Sequence, residues 1–90
     1  MPDYLIEREV PNLSELSDED IRALSLQSLA VLNELGPEIR WVRSYIADSK
    51  LYCIYQAANE ELIREHARIL GIPATRIEAV RRLVDPAEFQ

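Results

Sequence analysis

The sequence has few of the residues that form disulfide frameworks, zinc motifs and phosphate loops. Among its 90 residues are one cysteine, one histidine and two glycines. A single cysteine excludes an internal disulfide and any paired-cysteine zinc motif, and two glycines cannot form a glycine-rich nucleotide loop. No Ser/His/Asp set stands in a recognisable catalytic context. These shortages favour a non-enzymatic role, and any enzyme built on this chain would have to work without a bound nucleotide.

Long apolar runs and an excess of positive charge are also absent. No segment approaches the ~20 apolar residues of a membrane-spanning helix, and the N-terminus is charged where a secretory signal would be apolar. The chain has 10 basic and 16 acidic side chains and a net charge of −6, whereas nucleic-acid binding needs a basic patch. We therefore expect a cytoplasmic protein that binds neither nucleic acid nor membranes.

Two strands that pair as a hairpin are the most informative feature that is present. The pattern predicts strands at Ile39–Ala47 and Lys50–Ala57, joined by a tight loop at Asp48–Ser49. This loop would place Ser44 opposite Cys53, and side chains alternate between the two faces of a sheet. The first face then carries Val42, Ser44, Ile46, Leu51, Cys53, Tyr55 and Ala57. The second face carries Ile39, Trp41, Arg43, Tyr45, Tyr52, Ile54 and Gln56.

The two faces of this hairpin differ in composition. The first set is mostly aliphatic or small, as expected for a surface that helices cover. The second set is rich in aromatic side chains and has Arg43 near its centre. Because neither face is polar enough for full solvation, we expect a partner subunit or a ligand to cover the second face.

The flanking segments supply two more strands. Residues Asp3–Glu9 alternate as a strand does, with Ile6 facing the helices and Glu7 on the same side as Arg43. A last strand is expected at Arg76–Val84, where apolar residues recur before Asp85 and Pro86 break the pattern. Residues 85–90 are expected to form a frayed tail.

Two helices are expected between these strands. Ser17 and Asn59 are suitable caps, and acidic residues follow each, at the positive end of the helix dipole. Gly36 and Gly71 end the two helices. Residues at helical spacing predict the buried face of each helix. These are Ile21, Leu24, Ser28, Val31, Leu32 and Leu35 in the first helix, and Leu62, Ile63, His66, Ala67 and Leu70 in the second.

The predicted order is β-α-β-β-α-β, which is the ferredoxin-like plan. Right-handed crossovers would give the sheet order four-one-three-two, with both helices on one face. We therefore expect a single α+β domain over residues 1–90, with a four-stranded antiparallel sheet. Its uncovered face would pack on that of a second copy, which gives a dimer.

His66 and Cys53 are candidates for a metal site. Both are expected under the helices, and imidazole with thiolate is a suitable ligand pair for nickel, copper or zinc. The alternative is that both are core residues, because a free cysteine usually packs as a small hydrophobe.

The second hairpin face offers a separate candidate site. Glu7, Trp41, Arg43, Tyr45 and Tyr52 are expected there together. An arginine among aromatic rings and a carboxylate is suited to a small anionic or flat ligand. The alternative is an interface, where arginine and aromatic residues are also enriched.

Several runs, in this order, resemble a family of small bacterial proteins that was first catalogued as a domain of unknown function and later named for nickel binding. The runs are Tyr4–Arg8, Trp41–Ile46, Leu51–Tyr55, Ile63–Arg68 and Gly71–Ala74. The resemblance covers nearly the whole chain. It implies a ferredoxin-like subunit, a homodimer and, in some members, bound nickel.

One residue departs from that family pattern. Arg43 stands where a histidine is often found, and a guanidinium does not ligate metals. The remaining metal candidates are His66, Cys53 and Glu7. Two functions stay open besides a plain interaction module. The first is nickel or other metal binding or response by a homodimer. The second is a small-molecule pocket or cofactor-free enzyme of the dimeric α+β barrel type, which is an analogy of fold.

Overall fold

The computed structural model describes residues 1–90, which form four strands and two helices. Two short 3-10 turns occur at Leu13–Glu15 and Pro86–Phe89. The main elements are β1 (Asp3–Glu9), α1 (Asp18–Leu35), β2 (Ile39–Ile46), β3 (Lys50–Ala57), α2 (Glu60–Leu70) and β4 (Arg76–Ala79). Neither helix has the length and apolar character needed to cross a bilayer.

The four strands form one sheet in the order β2-β3-β1-β4, and every neighbouring pair is antiparallel. Strands β3 and β1 are therefore central. Helices α1 and α2 pack against each other and against the sheet. The α+β class, with a four-stranded antiparallel sheet and two helices, is confirmed.

Local capping explains where the helices begin and end. The Ser17 side chain accepts a hydrogen bond from the Asp20 backbone N–H, and the Asp20 carboxylate accepts one from the Ser17 N–H. Asn59 accepts a hydrogen bond from Leu62 in the same way. These contacts satisfy donors that have no partner within the first turn of a helix. Gly71, with φ of 77°, ends α2 in a left-handed conformation that favours glycine.

A β-bulge changes the predicted register of the hairpin. Ser44 does pair with Cys53, but the register shifts between Trp41 and Arg43, so that Trp41 lies opposite Tyr55. An extra residue in one strand reverses which face the residues beyond it occupy. The prediction that Ile39 and Trp41 lie on the uncovered face is therefore wrong. Ile39 is buried in the core, and Trp41 packs against that core.

Strand β4 is shorter than predicted, because its partner strand comes to an end. Ala79 pairs with Tyr4, and the Val80 N–H donates to the carbonyl of Asp3, the first residue of β1. No further residue of β1 is left to pair with the chain beyond this point. Leu83 is consequently exposed. Residues Pro86–Phe89, within the expected tail, form a 3-10 turn that buries no side chain.

The core lies between the helices and one face of the sheet, and the two helices contribute unequally to it. Helix α2 buries Ile63, His66 and Ala67, whereas the longer α1 buries only Ser28 and Leu32. The predicted buried face of α1 is thus partly open, with Leu24 43% exposed. A cavity separates the first half of α1 from β2 and β3.

Candidate functional site

The cavity has a volume of about 220 Å³ and is partly open to solvent. Side chains of α1, such as Ile21 and Leu24, form one wall. Trp41 and Ile46 of β2 and Leu51 of β3 form much of the opposite wall. The lining is mainly apolar, which is typical of small-molecule sites, where a few polar groups provide specificity.

Arg8 is the principal polar group of this cavity, and it is fully buried. Its Nη1 donates to the carbonyl oxygen of Pro73 at 2.8 Å, while its Nε and Nη2 have no hydrogen-bond partner. No carboxylate forms an ion pair with it. Because an arginine keeps its charge in proteins, the site contains a buried cation without a counter-ion.

Sequence reasoning did not select Arg8 as a functional residue. The signal was present, since strand alternation places Arg8 on the same face as Tyr4 and Ile6, and both of those residues are buried. A charged residue in register with two core residues is the pattern that indicates a buried charge.

His66 lies next to this cation, between α2 and the sheet. The side chain is fully buried, its Nε2 is 3.0 Å from the Ser28 hydroxyl, and its ring packs on Tyr55 with centroids 5.4 Å apart. Its Nδ1 has no partner. Burial, with the positive charge of Arg8 as a second cause, lowers the pKa of His66 to about 4, and a hydrogen bond that the ring donates to the Ser28 backbone opposes that shift. The imidazole is therefore neutral at neutral pH.

Tyr55 and Cys53 complete the polar part of the site. Burial raises the pKa of Tyr55, while the Ser28 hydroxyl and the Arg8 guanidinium act in the opposite direction. The Cys53 sulfur accepts a hydrogen bond from Ser44, whose hydroxyl accepts one from the Trp41 indole at 2.8 Å. Tyr55 is thus a neutral phenol, and the Cys53 thiol is held within the packing.

The uncovered face of the sheet does not combine the five residues expected to form a pocket there. Cross-strand pairing places Tyr52 beside both Glu7 and Tyr45. Glu7, however, forms its ion pair with Lys50 at 3.6 Å and not with Arg43. Trp41 lies with the helix-facing core, on the other side. A depression of about 180 Å³ on this face is lined by Glu7 and Tyr52 among others.

The three metal candidates are also separated by the sheet. His66 and Cys53 lie under the helices, whereas strand alternation places Glu7 on the other face. No three His, Cys, Asp or Glu side chains converge anywhere in the chain. The charge of Arg8 lowers the pKa of His66, and it would repel a metal cation at the imidazole for the same reason. The residues of one subunit therefore do not fit a nickel ion.

Comparison with known proteins agrees with the family resemblance. No curated protein sequence matches the chain. The fold is similar to that of SCO4226 from Streptomyces coelicolor A3(2), in a crystal structure with a TM-score of 0.75 and 13% sequence identity. That similarity covers 91% of this chain and 99% of the other. The family model described as nickel responsive protein SCO4226-like matches residues 4–80. This protein belongs to the SCO4226-like family.

Proposed function

We propose that this protein is a small, cytoplasmic, homodimeric binding protein of the ferredoxin-like type, and that it takes up a small organic molecule in the cavity under α1. One observation carries the proposal, namely an apolar cavity of about 220 Å³ that contains the buried polar groups of Arg8, Ser28 and Tyr55. A binding role without catalysis agrees with the lack of a catalytic motif. The net charge of −6 argues against nucleic acid as a partner.

The cavity volume limits the size of the molecule. An engineered apolar cavity of about 150 Å³ in another protein binds benzene. A cavity of about 220 Å³ therefore accommodates one ring, or a short alkyl chain, with a small polar substituent. The site is too small for a nucleotide or a large cofactor, because pockets for drug-sized ligands measure roughly 300 to 1,000 Å³.

The single tryptophan allows a direct test of this function. Trp41 lines the cavity, so we expect phenylacetamide, a neutral probe with one ring, to change its fluorescence and to raise the melting temperature. The variant Ser25→Leu adds bulk to the cavity wall and should weaken binding. The matched control is Ala23→Leu, which adds the same side chain at an exposed position of α1 and should bind as the original protein does. The proposal fails if neither phenylacetamide nor the corresponding acid, phenylacetate, binds.

Metal response is the second candidate function, and membership of a family described as nickel responsive favours it. Imidazole and thiolate suit nickel, but one subunit lacks a convergent set of ligands. Any nickel site would therefore need donors from two subunits. Native mass spectrometry with added nickel tests this function. Uptake that disappears in His66→Asn would support it, whereas unchanged uptake in that variant would exclude His66 as a ligand.

The uncovered sheet face is the proposed surface of the dimer. Leu5 and Tyr45 are 39% and 57% exposed in the single subunit, and a second copy would remove such apolar area from water. We expect Tyr45→Ser to lower dimer affinity in analytical ultracentrifugation. The control Leu29→Ser changes an exposed apolar residue of α1 and should leave the dimer intact. A monomeric starting protein would refute the proposed assembly.

A further inference from the structure

We infer that the ligand of the α1 cavity is a small apolar carboxylate, bound through its two oxygens by Arg8. This inference rests on the proposed binding function and adds the chemical class of the ligand. The observation behind it is that Arg8 borders the cavity, while its guanidinium is fully buried and has Nε and Nη2 without partners.

The unpaired state of Arg8 indicates a missing partner. Buried polar groups in folded proteins are nearly always hydrogen-bonded, and buried charges are paired. The hydrogen bond to Pro73 uses only Nη1. Arginine stays protonated in proteins, so its charge remains when the side chain is buried. An anion at the two free nitrogens would offset the desolvation penalty of that charge, which the empty site does not offset.

The positions of the free nitrogens favour a carboxylate. Nε and Nη2 lie on one edge of the planar guanidinium, and their N–H bonds point the same way. Two parallel N–H donors match the two oxygens of a carboxylate, which gives short and strong bidentate hydrogen bonds. The third nitrogen already donates to the Pro73 carbonyl at 2.8 Å, which holds this edge in place.

The surrounding groups select a single negative charge. No acidic side chain forms an ion pair with Arg8, and the lowered pKa of His66 keeps its imidazole neutral at pH 7. Tyr55 is a neutral phenol, so its hydroxyl can donate a hydrogen bond to an anion. The site therefore has one positive charge in total. A monoanionic carboxylate neutralises it, whereas a dianionic phosphate would leave a buried negative charge.

The apolar lining accounts for the rest of the ligand. Ile21, Leu24 and Leu51 can surround one ring or a short alkyl chain. Arg8 exposes no surface to water, so the carboxylate reaches it only when a neighbouring side chain changes its rotamer. Such changes are common at binding sites, and the light packing of α1 against the sheet permits one.

A series of three ligands with the same ring tests this inference. The probes are phenylacetate, phenylacetamide and 2-phenylethylamine, which are negative, neutral and positive at pH 7. We expect phenylacetate to bind at least about tenfold more tightly than phenylacetamide, because hydrogen bonds to charged groups are the stronger ones. The amine should bind most weakly. Trp41 fluorescence and the shift in melting temperature measure binding of each probe.

Two arginine variants locate the source of that preference. Arg8→Met should lower the affinity for phenylacetate to that for phenylacetamide. Arg8→Lys should keep part of the preference for the acid, since lysine retains the charge but not the two parallel N–H donors. Arg76→Met removes an exposed arginine of β4 and should change neither affinity. A preference for the acid that survives in Arg8→Met would contradict the assignment.

The outcomes separate this inference from the proposed function. Equal affinities of the original protein for acid and amide would overturn the carboxylate inference and leave the binding function standing. Binding of neither probe would overturn both. If Arg8→Met does not fold, the three probes are compared on the original protein and on Arg8→Lys, and that comparison still tests whether Arg8 binds the carboxylate.

Discussion

Charged side chains form ion pairs on one face of the sheet, whereas the charged side chain buried under the other face has no counter-ion. On the uncovered face, Glu7 pairs with Lys50, and on β4 Arg76 pairs with Glu78 at 2.6 Å, all within reach of solvent. On the helix-facing side, Arg8 follows Glu7 directly in β1 and is buried without a counter-ion. Exposed ion pairs contribute little to stability, and an unpaired buried charge opposes folding. The burial of Arg8 is therefore better explained by binding than by stability.

Neighbouring residues of β1 provide the sharpest test of this comparison, and they should show the largest effect. Ile6 is fully buried, whereas Leu5 on the other face is 39% exposed. We expect Ile6→Ala to lower the free energy of unfolding by about 2 to 5 kcal/mol, since it removes core packing and leaves a cavity. Leu5→Ala should cost less than half as much in the monomer. Urea denaturation at several protein concentrations measures both. Equal losses of unfolding free energy in the two variants at low protein concentration would show that the two faces are equally buried.

Arg8 should respond to mutation in the direction opposite to that of a core residue. Replacing it with methionine removes a buried charge and keeps most of the side-chain volume, so we expect Arg8→Met to raise the free energy of unfolding by about 1 to 4 kcal/mol without ligand. Arg76→Met, on the exposed pair, should change it little. Chemical denaturation of the ligand-free protein measures both variants. A large loss in Arg8→Met would instead make its hydrogen bond to Pro73 a structural link.

His66 should make the stability of the helix-facing side depend on pH. Its pKa is about 4 in the folded protein, against an ordinary value of 6.5. The unfolded chain therefore binds the proton first, and this contribution to stability is lost as the pH falls from about 6.5 through about 4. Melting temperatures across this range measure the loss. His66→Asn, which keeps a polar group near Ser28, should show a weaker dependence; an identical profile would mean that the surface carboxylates account for all of it.

Removal of two hydroxyl groups from adjacent residues of β2 should give the smallest difference in the free energy of unfolding. Ser44 lies between the Trp41 indole and the Cys53 sulfur on the helix-facing side, whereas Tyr45 is exposed. We expect Ser44→Ala to cost about 1 kcal/mol and to shift the Trp41 emission, because the indole N–H loses its acceptor. Tyr45→Phe should do neither in the monomer. Thermal unfolding followed by fluorescence tests both, and an unchanged emission in Ser44→Ala would show that water replaces the hydroxyl.

Much of the fold was predictable because it depends on contacts between residues close in sequence. Ser17 and Asn59 begin their helices through contacts within the first turn, and Gly71 ends α2 through its own backbone conformation. The pairing of Ser44 with Cys53 follows from the loop at Asp48–Ser49 next to it. The class of the fold and the family resemblance rest on these local patterns, and both are confirmed.

The candidate site was less predictable because it depends on residues far apart in the chain. Strand alternation correctly placed Glu7, Arg43, Tyr45 and Tyr52 on one face, but alternation alone contains no signal for the bulge that moved Trp41. Whether these residues form a pocket depends on what covers that face. The separation of Glu7 from His66 follows from assembling β1 and α2 on the sheet.

By itself, the sequence determined the order of the elements, the ends of the helices and the β1 and hairpin strands, because caps, loops and alternation act over a few residues. The tertiary structure decided where β4 ends, since pairing stops when β1 has no further residue to offer. It also decided that α1 packs lightly enough to leave a cavity and that no acidic side chain reaches Arg8. The lack of a carboxylate near Arg8 and the cavity under α1 both depend on how distant segments pack together. No local pattern in the chain could therefore specify either of them.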